Sequence, residues 1–178
     1  MELKGSKTEA NLMTAFSGEC MARVKYELYA AKARAEGYEQ YGNVADEISL
    51  NEREHAEIWF KALTEPDAAG TAEAFADAEE GELYEGEEMY PRFAATAREE
   101  GFEEIARLFE EIAGIERRHA RIYREMRDRI ESATVFERER PAVWVCLKCG
   151  NAAEGVRPPE ICPVCGHSKA FRKTEECV

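Results

Sequence analysis

An internal repeat runs through the chain as far as Glu131 and restricts how this part can fold. The segment Glu36-Gly37-Tyr38 recurs further along the chain as Glu100-Gly101-Phe102. At the same spacing, further positions match: Tyr26 with Tyr90, Ala30 with Ala94, Ile48 with Ile112, and Glu52-x-x-His55-Ala56 with Glu116-x-x-His119-Ala120. The repeat predicts two related helical hairpins, each with its tight turn at the glycine.

The two hairpins predict four helices, and a crossover from Thr64 to Thr71 joins the second helix to the third. We expect these helices over residues 8–36, 38–63, 72–100 and 102–131. Helices of this length with one long connection form an all-α four-helix bundle of the ferritin-like type. Pro91 falls inside the third helix, where we expect it to kink the helix or interrupt its hydrogen bonding.

Composition changes near residue 140, which indicates a second domain. The segment from Pro141 to Val178 contains four of the six prolines and five of the six cysteines. We therefore predict a helical bundle over residues 1–135, a linker over 136–142 and a small four-cysteine domain of the β/loop type over 143–178.

The charge of the chain excludes several classes of partner. The formal net charge is −13, of which the C-terminal segment carries +1 and the helical region −14. Nucleic acids bind proteins with an excess of positive charge, and anionic membranes have the same preference. The sequence lacks the run of ~18–20 apolar residues that a membrane helix needs, and Met1 to Ala10 lack the apolar segment of a signal peptide. We expect a cytoplasmic protein with no nucleic-acid or membrane partner.

Carboxylates interrupt the apolar seams of the predicted helices. In the fourth helix, Glu116 and His119 occupy the middle of the seam, and Glu52 and His55 do so in the second helix. Glu19 and Glu85 precede their turn glycines by nearly the same interval at which Glu52 and Glu116 follow them. At ~1.5 Å per residue, these four carboxylates fall in one layer of the bundle to within about one turn.

A buried layer of four carboxylates and two imidazoles requires added positive charge. An unpaired buried carboxylate costs several kcal/mol, so the layer predicts bound metal ions. Carboxylate with imidazole favours iron or manganese, and zinc remains an alternative. The pattern is that of di-iron carboxylate bundles, in which two helices each give a Glu and two give Glu-x-x-His.

The C-terminal cysteines form two Cys-x-x-Cys pairs, Cys146/Cys149 and Cys162/Cys165. Two such pairs predict a closed tetrahedral sulfur site for zinc or a single iron, and the spacing alone does not choose between them. A domain of this size has too little core to fold unaided, so the metal is expected to be structural whatever else it does.

These motifs together resemble the rubrerythrin family over nearly the whole chain. The resemblance rests on Ala15-Phe16-Ser17-Gly18-Glu19, Glu52-Arg53-Glu54-His55-Ala56, Glu88-Met89-Tyr90-Pro91, Glu99-Glu100-Gly101-Phe102, Glu116-Arg117-Arg118-His119 and the four-cysteine tail, which looks like a rubredoxin-like domain. It implies a non-haem di-iron peroxidase that reduces hydrogen peroxide to water, with iron also in the four-cysteine site.

The resemblance also implies roles for individual residues and partners. The di-iron ligands would be Glu19, Glu52, His55, Glu85, Glu88, Glu116 and His119, and the mononuclear iron would be held by Cys146, Cys149, Cys162 and Cys165. Glu88 and His55 would exchange on one iron as its redox state changes, and Tyr26 would either bond to a ligand carboxylate or be a plain core aromatic. An external electron donor is implied, either a rubredoxin or an NAD(P)H-linked reductase, and a homodimer.

Two other functions remain compatible with parts of the sequence. The helical bundle alone would suit a ferroxidase or iron-storage protein of the ferritin class. The four-cysteine module alone would suit a non-enzymatic zinc-ribbon adaptor on a helical scaffold.

Overall fold

The structure, a computed structural model, describes residues 2–64 and 70–168 and the backbone of 172–174. The chain divides into two compact units, Met1–Ala69 and Gly70–Val178. Residues 65–69, in the predicted crossover, lie outside the described residues. No helix within the described ranges has the length and apolar character needed to cross a membrane.

The first unit is a helical hairpin made of α1 (Lys7–Ala35) and α2 (Glu39–Thr64). The turn between them passes through Gly37, whose φ of +88° is a conformation that glycine adopts without a Cβ penalty. The Gly37 N–H donates to the Arg34 carbonyl, and the Tyr38 N–H donates to the Ala33 carbonyl, both at 2.9 Å. The predicted turn is confirmed.

The second unit begins with another hairpin, in which one arm is interrupted. Its helices are α3 (Thr71–Tyr84), α4 (Tyr90–Glu99) and α5 (Glu103–Glu131), and a π-helical turn, Glu85–Met89, joins α3 to α4. The turn before α5 passes through Gly101, with a φ of +86°. The predicted third helix over 72–100 is therefore two helices with a wider turn between them.

The π turn adds one residue to the arm that contains Pro91. The Tyr90 N–H donates to the carbonyl of Glu85, five residues earlier, instead of the residue four earlier as in an α-helix. The sequence predicted a kink or an interruption of hydrogen bonding beside Pro91. The structure has the interruption immediately before the proline, which itself has no N–H to donate.

An arginine at the closed end of each hairpin ties its two helices together. Arg98 makes two hydrogen bonds to the carboxylate of Glu110, at 2.6 and 2.7 Å, and one to Glu103 at 3.1 Å. Arg34, its counterpart in the repeat, bonds to Glu39 and Asp46 in the same arrangement. These pairs are largely exposed, so each is expected to contribute little to the stability of the hairpin.

Small side chains line the contact between the paired helices. Among the described residues, the buried apolar side chains of the helices are all alanines: Ala30, Ala56, Ala94, Ala97, Ala106, Ala113 and Ala120. Larger residues of the predicted seam, such as Ile105, Leu108 and Ile115, are about half exposed. The alanines let the backbones of paired helices approach closely, which brings side chains on facing turns within reach of each other.

The C-terminal part of the second unit is a three-stranded antiparallel sheet. Its strands are β1 (Ala142–Cys146), β2 (Ala152–Gly155) and β3 (Arg172–Thr174), in the order β2-β1-β3. Trp144 in β1 is 1% exposed and donates its indole N–H to the Gly155 carbonyl at 2.8 Å. These elements confirm the predicted fold class, a helical ferritin-like region followed by a small four-cysteine β domain.

The strongest charged contact between α3 and α5 leads to a prediction about stability. Glu79 is 7% exposed, and its carboxylate accepts hydrogen bonds from Arg124 at 2.6 Å and Arg127 at 2.5 Å. We expect Glu79→Gln to lower the free energy of unfolding of the metal-free protein by about 1–3 kcal/mol, because charge-assisted bonds to a buried group are lost. Urea unfolding measures this change. The exposed neighbour provides the control, Glu80→Gln, and equal unfolding of the two variants would contradict the prediction.

Candidate metal centres

The first unit brings together one carboxylate from α1 and a Glu-x-x-His pair from α2. Glu19, Glu52 and His55 each offer a ligand atom, and these atoms all lie within 4.8 Å of one another. The Nδ1 atom of His55 is 2.9 Å from a carboxylate oxygen of Glu52 and 3.8 Å from one of Glu19. We call this group the first triad.

The second unit contains an equivalent group, made by α3 and α5. Glu82, Glu116 and His119 offer ligand atoms within 4.8 Å of one another. The Nδ1 atom of His119 is 2.7 Å from a carboxylate oxygen of Glu116 and 3.4 Å from one of Glu82. We call this group the second triad. Its Glu82 is a residue that the sequence analysis did not select.

The π turn explains why Glu82 occupies this position. The interval from Glu82 to Gly101 is one residue longer than the interval from Glu19 to Gly37. The π turn lies between Glu82 and Gly101 and takes up the one extra residue, so Glu82 comes level with its partners as Glu19 does. The sequence contains two indications of this. Glu82 follows Glu19 at a spacing one residue short of the repeat, and Pro91, which interrupts helical hydrogen bonding, lies after Glu82 on the same arm.

Glu85 lies on the π turn, near the second triad but outside it. The Tyr90 hydroxyl is close to three carboxylates. Burial, and then the negative charges of Glu85, Glu116 and Glu82, raise the pKa of Tyr90 above its ordinary value of 10.0. The charge of Glu85 thus acts on the same phenol as those of two carboxylates of the second triad, and its predicted role as a ligand remains a prediction.

Glu88 lies elsewhere on the second unit. Its side chain is exposed and, with Glu79, Glu87 and Arg127 among others, lines a cavity of about 410 Å³. Within the described part of the chain, the structure does not bring Glu88 into either triad. Its predicted exchange with His55 thus rests on the family resemblance alone.

Tyr26 is half-buried in the first unit, with its ring centroid 6.2 Å from that of Tyr29. In the described ranges it makes no hydrogen bond to Glu19 or Glu52. Its counterpart in the repeat, Tyr90, is the tyrosine whose hydroxyl lies near carboxylates. The predicted contact of Tyr26 with a ligand remains a prediction.

The electrostatics of the second triad fit a cation. Burial, followed by the hydrogen bond and the charge of Glu116, raises the pKa of Glu82 above its ordinary value of 4.5, and His119 opposes the shift. A carboxyl group that holds its proton more tightly because another carboxylate is close by can exchange that proton for a metal ion. Two carboxylates and one imidazole nitrogen are a donor set that suits iron.

The four cysteines of the small domain have the geometry of a tetrahedral metal site. Their sulfur atoms lie within 4.8 Å of one another, and the pairs Cys146–Cys165 and Cys149–Cys162 are each 3.7 Å apart. Sulfurs bound at ~2.3 Å to a central metal form a tetrahedron with edges of about 3.8 Å. A disulfide would need a separation of ~2.05 Å, so the predicted metal site is the arrangement that the structure supports.

Backbone N–H groups lower the pKa of two of these thiols. The N–H groups of Cys165 and Val164 lower the pKa of Cys162 to about 6, and those of Cys149 and Lys148 lower the pKa of Cys146. The Asn151 N–H acts on Cys149 in the same direction, but the neighbouring cysteines and burial outweigh it and raise the pKa of Cys149 to about 12. A metal ion would replace the proton that Cys149 retains.

Comparison with known proteins matches both parts of the chain. Residues 10–127 match the protein family described as Rubrerythrin, and residues 144–172 match the family described as Rubrerythrin, rubredoxin-like domain. The rubrerythrin of Nitratidesulfovibrio vulgaris is 42% identical over 179 residues, which cover 94% of this chain and 94% of that protein. The rubrerythrin of Porphyromonas gingivalis is 41% identical over 180 residues, covering 95% and 90%. Rubrerythrin-1 of Clostridium acetobutylicum is 40% identical over 184 residues, covering 95% and 94%.

The raised pKa of Glu82 predicts how the metal-free protein responds to pH. The folded state holds this proton more tightly than the unfolded state, so the contribution to stability is complete below pH 4.5. It is lost as the pH rises through the higher pKa of the folded state. We expect Glu82→Gln, which cannot ionise, to make the free energy of unfolding fall less between pH 4.5 and neutral pH. Urea unfolding of chelator-treated protein at a series of pH values measures this.

The control for that experiment is Glu80→Gln, which removes an exposed carboxylate two residues away. It should keep the pH dependence of the unmodified protein. If Glu82→Gln kept the same dependence too, Glu82 and Glu116 would not share a proton.

Proposed function

The chain belongs to the rubrerythrin family, whose members are in general oxidoreductases, and we propose that it is a non-haem di-iron peroxidase that reduces hydrogen peroxide to water. The observation that carries the proposal is the pair of equivalent triads in a chain that also has a four-cysteine site. Each triad supplies two carboxylates and one imidazole, which is half of the donor set of di-iron carboxylate bundles. One triad would hold each iron.

The proposed reaction consumes two electrons and two protons for each peroxide, giving two molecules of water. Iron, when bound, supplies the electrons that break the O–O bond. The second triad holds two carboxylates and one imidazole within 4.8 Å of one another. Burial, and then the charges of Glu85, Glu116 and Glu82, raise the pKa of Tyr90, so its phenol stays neutral and can donate a hydrogen bond, but it is a weaker acid than a free tyrosine.

We assign electron entry to the four-cysteine site, because its ligand set leaves no open position for peroxide. Cys146 and Cys162 are buried, whereas Cys149 is exposed, so an external donor would approach the sulfur of Cys149. The proposed donor is a rubredoxin or an NAD(P)H-linked reductase. We also propose that the protein is cytoplasmic, since thiolate ligands suit a reducing compartment, and that it is a homodimer, as the family resemblance implies. A ferroxidase or storage role gives the four-cysteine site no use.

The test of this function is a peroxide titration of iron-loaded, chemically reduced protein without oxygen. We expect one peroxide to be consumed for every two electrons stored, without release of oxygen. Oxygen release would indicate dismutation. Consumption no faster than that by free ferrous iron would overturn the proposal.

The role of the four-cysteine iron as a relay gives a separate prediction. We expect Cys149→Ser to lower turnover with an external donor by about tenfold or more, because a ligand of the relay is lost. The chemically reduced helical site should still be oxidised by peroxide at the rate of the unmodified protein. Steady-state and stopped-flow assays measure the two rates. The relay assignment is wrong if peroxide no longer oxidises the helical site in the variant.

The two candidate carboxylates for a seventh ligand can be separated by mutation. We expect Glu85→Ala to retain two irons in the helical region but lose at least about tenfold in peroxide turnover, because Glu85 follows Glu82 by three residues and its charge acts on Tyr90 together with those of Glu82 and Glu116. We expect Glu88→Ala, which removes an exposed carboxylate on the same helical arm, to keep its turnover. Iron analysis and steady-state kinetics measure both. The reverse result would favour Glu88, which the resemblance implied as a ligand along with Glu85.

A further inference from the structure

The π turn leaves one carbonyl group without a backbone partner. In an α-helix, the Gly86 carbonyl would accept the N–H of Tyr90, but that N–H is donated to Glu85. If the i→i+5 pattern continued, the partner would be residue 91, which is a proline and has no N–H. Gly86 is buried, so its carbonyl needs a partner from another element.

Arg117 of α5 supplies this partner. Its Nη1 atom donates to the Gly86 carbonyl oxygen at 2.7 Å. The contact depends on the absence of a side chain at Gly86, because a Cβ there would lie 2.8 Å from Arg117 Cγ and 3.0 Å from the Ala113 carbonyl oxygen. The three residues thus have complementary roles. Pro91 has no N–H for the Gly86 carbonyl, Gly86 has no side chain to keep α5 away, and Arg117 donates the hydrogen bond that the carbonyl lacks.

This arrangement lies where it can influence the metal centre. Arg117 follows Glu116 of the second triad directly in α5, and Gly86 follows Glu85 directly in the π turn. The hydrogen bond therefore connects the backbone that carries Glu85 to the helix that carries the triad. Any widening or sliding of the π turn would move Glu85 relative to Glu116.

We propose that Arg117 is a positioning residue of the metal centre. Its hydrogen bond to the Gly86 carbonyl holds the π turn, and the π turn holds Glu85 beside the second triad. The inference rests on the proposed function only in taking the second triad as an iron site.

The decisive experiment removes the Arg117 donor and supplies the Gly86 carbonyl with a backbone N–H at residue 91 instead. Arg117→Met removes the guanidinium and keeps a long side chain, whereas Pro91→Ala supplies an N–H five residues after Gly86, where the π pattern would use it. We expect Arg117→Met to speed amide exchange in the segment 85–90 of the metal-free protein by about tenfold, as for the loss of one partly buried hydrogen bond to a charged donor. Adding Pro91→Ala should return the exchange rate to that of Pro91→Ala alone. If Arg117 acted only through its charge or its packing, Pro91→Ala would not restore the slower amide exchange in the Arg117→Met variant.

Two controls separate positioning from general stability. Arg118→Met removes the same charge from the next, exposed residue of α5 and should leave exchange in the segment unchanged. Glu79→Gln weakens the contact between α3 and α5 without removing the Gly86 partner, and it should not reproduce the local effect. If either control matched Arg117→Met, the proposal would be overturned.

The effect on the metal centre is read from the loss of ferrous iron to a chelator. We expect iron to leave the helical sites of Arg117→Met about tenfold faster than those of Arg118→Met, with Pro91→Ala again restoring the slower rate. Equal rates would overturn the positioning role. Neither amide exchange nor iron release involves peroxide. A lack of peroxidase activity would therefore contradict the proposed function, whereas this inference is decided by the exchange and iron-release rates.

Discussion

Repulsion between carboxylates at close range is the constraint on which the helical part of this chain depends. Each triad holds two of them with one imidazole within 4.8 Å, and in the second triad this proximity and burial raise the pKa of Glu82. The groups meet because buried alanines, such as Ala56 beside His55 and Ala120 beside His119, allow paired helices to approach closely. The fold therefore brings together negative charges, and a bound proton or metal ion is needed to relieve their repulsion.

The sequence predicts the parts of this arrangement that depend on one helix at a time. The Glu-x-x-His pairs follow from helical periodicity, and the turns at Gly37 and Gly101 follow from the conformational freedom of glycine. The level of a residue on a neighbouring helix depends on every residue between it and the turn. Counting back from Gly101 along an uninterrupted α-helix, to within about one turn, selected Glu85 as the carboxylate of this arm. The π turn adds one residue, so Glu82 rather than residue 83 comes to the level that Glu19 has in the first hairpin.

The four-cysteine site was predictable to a greater extent, because its geometry is set locally. Each Cys-x-x-Cys pair is held by a short turn, in which Gly150 and Gly166 have φ values of +74° and +73°. The only part of the geometry that local sequence does not determine is how closely the two turns approach each other. The sulfur separations of 3.7 Å between the turns show that they are close enough to share one metal ion. The identity of the metal depends on its chemistry as well as on spacing, which is why spacing alone left iron and zinc open.

The π turn also makes the two halves of the repeat unequal. Between the triad carboxylate and the matched tyrosine, the first hairpin has the α-helical run from Glu19 to Tyr26, whereas the second has one more residue from Glu82 to Tyr90. That interval contains Glu85, whose counterpart one turn after Glu19 is the apolar Ala22. A π turn gives up regular hydrogen bonding, and here it also requires Arg117 to satisfy the Gly86 carbonyl. Irregular backbone of this kind is often found at functional sites, and here the π turn contains a carboxylate, Glu85, where the first hairpin has an apolar residue.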